Sequence, residues 1–85
     1  MRVVGEIPHP QCKITIFSWN NRYLIKLENG LLEQTFKINE YDIMQEADLT
    51  ALLDRQFIAE CLNRFQNMAK SLEDALLRLD DRPSE

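Results

Sequence analysis

Residues 12–38 read CKITIFSWNNRYLIKLENGLLEQTFKI, and the apolar side chains of this stretch recur at every second position. Residues two apart share one face of a strand, so this period marks half-buried β-structure. Two punctuations divide it, Asn20-Asn21 and Asn29-Gly30. Asn-Gly tolerates the positive φ values of a two-residue type I′ loop, and Asn-Asn is a weaker form of the same signal. The stretch predicts three antiparallel strands over 12–19, 22–28 and 31–38.

Two-residue loops also fix a register, with Trp19 opposite Arg22 and Glu28 opposite Leu31. On one face Ile16 then meets Ile25, Ile14 meets Leu27, Leu27 meets Leu32 and Tyr23 meets Phe36. On the other face Lys13 meets Glu28, Lys26 meets Glu33 and Phe17 meets Leu24. Apolar side chains meet apolar ones and opposite charges meet, each pair contributing a few tenths to ~1 kcal/mol. A slip of one residue would send the core face to solvent.

Beyond residue 38 the period changes. Ile58, Cys61, Phe65, Met68, Leu72, Ala75 and Leu79 are spaced alternately three and four apart, the stripe of an amphipathic helix. An earlier stripe, Leu49, Leu52, Leu53 and Phe57, is out of phase with it. Extended backwards, the later stripe falls on Asp54 and Ala51. The reading is a short helix from about Asp48, a bend or break near Asp54, then a long helix to about Leu79. In the acidic stretch 39–48, Asp42 and Gln45 resemble a capping box, and Asp48 suits the N-cap of the short helix. Residues 2–7 fit a fourth strand, stopped by Pro8-His9-Pro10. The expected fold is therefore α+β. An antiparallel meander of three or four strands (about 2–38) packs on a long C-terminal helix (helical part about 48–79), all in one domain over 1–85, with residues 80–85 frayed.

Eighty-five residues bury roughly 60–65% of their unfolded surface, which leaves a thin core that a partner subunit would thicken. No run approaches the ~18 apolar residues of a membrane span. Residues 1–6 lack the apolar stretch of a secretory signal. A small, complete, cytoplasmic protein is expected. The net charge of −4 is uneven: residues 1–39 hold five Lys/Arg against three Asp/Glu, and residues 40–85 hold five against eleven. The basic excess belongs to the sheet and the acidic excess to the helices.

Residues that carry chemistry elsewhere have structural readings here. His9 is the single histidine, and no Ser-His-Asp arrangement is evident around it. His9 and Cys12 have the spacing of a zinc half-site, but no second half-site exists. Cys12 and Cys61 both fall at inward positions and read as reduced core thiols. Glu40, Asp42, Glu46 and Asp48 lack the spacing and central glycine of a calcium loop and suit helix starts better. Gly5 and Gly30 cannot form a phosphate-binding loop. No catalytic, metal or cofactor site is expected, and no enzymatic activity.

Two surfaces stand out. The second sheet face gathers Lys13, Arg22, Lys26 and Lys37 beside Phe17, Trp19 and Leu24. This face is more apolar than a wet sheet surface needs, so something should cover it: the N-terminal segment, the helical half or another subunit. The long helix, roughly 37 Å over 55–79, outruns strands of roughly 25 Å, leaving Leu72, Leu76, Leu77 and Leu79 beyond the sheet. A second copy is the simplest cover. On the helix's outer face Glu60 precedes Arg64, and Asp74 precedes Arg78, by four residues. The interaction surface expected from sequence is Phe17, Trp19, Arg22, Leu24, Lys37, Leu72, Leu76 and Leu79. The expected function is that of a homodimeric interaction or scaffolding protein. The alternative is a binding module that offers the basic-aromatic face to single-stranded nucleic acid or an acidic peptide.

Overall fold

A computed structural model describes residues 1–80. Its elements are β1 (Arg2–Ile7), β2 (Lys13–Trp19), β3 (Arg22–Asn29), β4 (Leu32–Asn39), a 3-10 turn (Glu40–Asp42), α1 (Ala47–Leu52) and α2 (Arg55–Asp80). The strands form one antiparallel sheet in the order β1-β2-β3-β4. The fold is the expected α+β arrangement, and residues 2–7 do add the fourth strand. β1 pairs with β2 at the sheet edge, its register shifting between Val3 and Gly5. The frayed end expected at 80–85 falls, apart from Asp80, outside the described residues.

The first hairpin has the expected register. Trp19 pairs with Arg22, Ile16 with Ile25 and Ile14 with Leu27. Asn20 and Asn21 both take positive φ, 53° and 63°, as both central residues of a type I′ loop must.

The second hairpin corrects the sequence reading by two residues. Asn29 pairs with Leu32 and Glu28 with Glu33, so the loop is Gly30-Leu31. Gly30 alone has positive φ, 60°, and a glycine in the first loop position is the signature of a type II′ turn. Leu27 therefore faces Gln34 and Tyr23 faces Ile38, where the sequence had suggested Leu32 and Phe36. Because the shift is even, every side chain keeps its face. The cost is Glu28 opposite Glu33, a like-charge pair. Lys26 offsets it by reaching both carboxylates, at 3.5 Å and 3.1 Å.

The chain breaks between α1 and α2 where the two stripes lose phase. Asp54 caps α2, its carboxylate accepting the main-chain N–H of Phe57 at 2.8 Å. Asp48 is not the N-cap of α1: it is the second residue of that helix, and its carboxylate accepts from the main-chain N–H groups of Met44 and Gln45. Asp42 lies in the 3-10 turn and makes no capping box with Gln45.

The core lies on one sheet face, under both helices. Ile14, Ile16, Ile25, Leu27, Leu49, Leu53, Cys61 and Phe65 fill it, with Cys12 at its margin. The start of α2 is fixed to β4 by Phe57 against Phe36, edge to face with ring centroids 5.1 Å apart. One turn further on, Gln34 donates its side-chain amide to the Cys61 carbonyl at 2.8 Å. α2 thus runs along β4 in the opposite direction to the strand and leaves the sheet past the Gly30-Leu31 loop.

Candidate functional site

The helix outruns its sheet, as the lengths required. Its 26 residues span about 39 Å, against about 26 Å for an eight-residue strand. The molecule is correspondingly long, 57 Å by 27 Å by 18 Å. Only Cys61 and Phe65 of α2 are buried, and both belong to its first half. Leu72, Leu76 and Leu79 continue the core stripe but are each about half exposed, with Leu77 equally exposed on the flank. A groove of about 610 Å³ opens where α2 leaves β4, bounded by Leu32, Gln34, Arg64, Met68 and Leu72. On the outer helix face Glu60 and Arg64 approach to 3.8 Å, but Asp74 pairs with Lys70 at 3.1 Å in place of Arg78.

The other sheet face is open. β1 extends the sheet at its edge, and both helices pack on the core side, so neither the N-terminal segment nor the helical half covers Phe17, Trp19 and Leu24. These side chains shelter one another to different degrees. Leu24 is buried, Phe17 half-buried, and Trp19 51% exposed at the hairpin end. Thr15 is also buried, between Glu6 and Lys26 in the register. Arg22 pairs across the strands with Trp19, and Lys37 with Leu24. Among the described residues neither cation makes an ion pair, whereas Lys26 is tied to Glu33 and Glu28. The hydrogen bond to Glu33, followed by the charge of Glu28, raises the Lys26 pKa above its ordinary value. The register sets Lys13 opposite Glu28, but the ion pair goes to Lys26.

The sequence expectation for this region therefore divides in two. Phe17, Trp19, Arg22, Leu24 and Lys37 converge on the open sheet face. Leu72, Leu76 and Leu79 lie on the projecting helix, along the core-side face. The structure does not bring the two groups together into one site.

Among the described residues no three His, Cys, Asp or Glu side chains gather as a cation site. The His9 Nδ1 accepts the main-chain N–H of Gln11 at 3.1 Å, closing a local turn. Cys12 and Cys61 are buried and unbridged. Burial raises both thiol pKa values; for Cys12 the nearby Cys61 adds to the rise, and for Cys61 the Arg64 guanidinium, 3.5 Å from its sulfur, opposes it. No described helix is long and apolar enough to cross a membrane.

Sequence reasoning did not single out the outer edge of β4. No family model, no curated protein and no solved structure matches the chain.

Proposed function

We propose that this chain is a small homodimeric interaction or scaffolding protein of the cytoplasm. The observation that carries the reading is the projecting half of α2. Leu72, Leu76 and Leu79 continue a core stripe past the end of the one sheet among the described residues. Exposed apolar surface of this kind marks an interface, and a thin core gains from being shared. A second copy carries the same uncovered stripe, so it supplies apolar cover without any further partner. The two free, buried thiols support a reducing compartment. Light scattering at micromolar concentration tests the assembly. About twice the 10.0 kDa chain mass is expected, and a monomer at all concentrations defeats the reading.

The open sheet face favours a second reading. Half-exposed Trp19 and half-buried Phe17 stand beside Arg22 and Lys37, the chemistry that stacks bases and follows phosphates. Salt-dependent retention on single-stranded DNA or RNA would support it over the first. The overall negative charge argues against bulk affinity for nucleic acid.

A further inference from the structure

The two edges of the sheet differ. β1 is six residues long, is irregular between Val3 and Gly5, and runs into Pro8. Bulges and proline are the usual protections of an edge strand. β4 is eight residues long, pairs with β3 without a shift, and contains neither proline nor glycine. No described element pairs with its outer side. The core also stays open toward this edge. Ile14, Ile16, Ile25 and Leu27 on the inner strands are at most 3% exposed, whereas Leu32, Gln34, Phe36 and Ile38 of β4 are only half-buried on the same face.

The residues of β4 complement themselves. Set a second β4 antiparallel to the first and centre the pair on Thr35. Glu33 then lies opposite Lys37, Gln34 opposite Phe36 and Leu32 opposite Ile38, each twice about the two-fold axis. The charged pairs fall on the open face, and the Leu32–Ile38 and Gln34–Phe36 pairs on the core face. Centring on Gln34 or Phe36 sets neither Glu33 nor Lys37 directly opposite its counter-charge. Lys37, which has no ion pair among the described residues, is set directly opposite an acid of β4 only in the Thr35-centred register.

We propose that two copies join through their β4 edges in this register, making one continuous eight-stranded sheet with a single extended core. This rests on the homodimer reading above and names its interface. The two α2 helices then run antiparallel on one side of the sheet. Leu32 of one copy lies beside Ile38 of the other, so the helix that passes Leu32 continues alongside residues 40–44 of the second copy. There Tyr41 and Met44 are 83% and 96% exposed. The projecting leucines and these two side chains thus share one apolar contact.

Charge reversal tests the register. Lys37→Glu puts Glu33 opposite a carboxylate twice, and Glu33→Lys puts Lys37 opposite an ammonium twice. Each is expected to weaken the dimer about tenfold or more. An equimolar mixture of the two variants restores both pairs in a heterodimer, and the double variant E33K/K37E restores them in a homodimer. Both should return to within about threefold of the wild-type affinity by sedimentation velocity. Glu33 also holds Lys26, so a folding defect in E33K is a hazard. Amide hydrogen exchange of the wild-type protein supplies the independent measurement. Protection in β4, and not in β1, should rise with protein concentration. A wild-type dimer indifferent to both reversals, with no concentration-dependent protection in β4, overturns the β4 interface and leaves the homodimer reading standing. A wild-type monomer at hundreds of micromolar overturns both.

Discussion

Asp54 and Phe57 are joined by a 2.8 Å hydrogen bond from the Phe57 main-chain N–H to the Asp54 carboxylate. The bond satisfies one of the free N–H groups at the start of α2 and places a negative charge at the positive end of the helix. It lies at the start of α2, where the Phe57 ring meets Phe36 edge to face.

Asp54→Ala removes this cap and is expected to cost about 1 kcal/mol of stability, within the ~0.5–2 range of N-cap losses. Asp54→Ser keeps an acceptor and should recover most of it. Urea denaturation of the three proteins at one concentration checks the ranking. An Ala variant as stable as the wild type would mean that the cap contributes nothing.

Phe65 and Leu31 separate buried from exposed apolar side chains. Phe65 is 4% exposed in the middle of the core, and Leu31 is fully exposed in the second hairpin loop. Phe65→Ala is expected to cost about 3–5 kcal/mol, a large share of the ~5–15 kcal/mol of an ordinary domain. Leu31→Ser should stay within ~0.5 kcal/mol. An unchanged melting temperature for the Phe65 variant would show that the helix does not seat that ring in the core.

Periodicity made the elements legible because it reports which face is turned inward, as the alternating β4 and the stripe of α2 show. It also located the helix break, since Asp54 falls where the stripe of Leu49 and Leu53 loses phase with that of Cys61 and Phe65. The second loop was not legible. Asn29-Gly30 and Gly30-Leu31 both place Gly30 at a position that accepts positive φ, and the two registers keep the same faces, so burial could not decide between them. In the register found, Lys26 relieves Glu28 and Glu33 together, a three-body arrangement that pairwise matching overlooks. Asp48 was misplaced by a related ambiguity, since an acid near a helix start can cap the helix or, from inside its first turn, hold the preceding N–H groups. Of the candidate surface, exposure of the leucines past the sheet followed from length alone. The burial of Leu24 among its neighbours, with Trp19 half exposed, needed three dimensions.

The thiols of Cys12 and Cys61 should label slowly in the native protein at neutral pH and quickly in denaturant, because both are buried and burial raises their pKa. The shift has a consequence for stability. Above the ordinary thiol value of 9.0 the unfolded chain loses these protons while the folded chain keeps them. The folded state then binds more protons, and stability falls as pH rises. Lys26, also shifted upward, acts in the same direction at higher pH. Urea midpoints are expected to be flat from pH 7 to near 9 and to fall beyond it, with a shallower fall in a Cys61→Ala variant of lower overall stability. Stability that climbs between pH 9 and 10 would contradict the direction of the shifts.

The open sheet face gives the last prediction, through Trp19 and Arg22, which pair across the first hairpin. Trp19 is 51% exposed and no described element covers it, so Trp19→Ala should cost well under the ~3–5 kcal/mol of emptying a buried aromatic site. Arg22→Glu should change stability by no more than ~0.5 kcal/mol. If the protein acts by self-association through its β4 edge and projecting helix, both variants keep the wild-type oligomeric state and neither the wild type nor the variants are retained on single-stranded oligonucleotides at physiological salt. If the face binds a single strand, the wild type is retained, Trp19→Ala loses a stacking contact of ~1–3 kcal/mol, and Arg22→Glu flattens the salt dependence by roughly 0.7 for the phosphate contact removed. The first pattern is expected, because five cations against three acids in the sheet half are outweighed by eleven acids against five cations in the helical half. Retention of the wild type together with both of those losses would move the function to the open face.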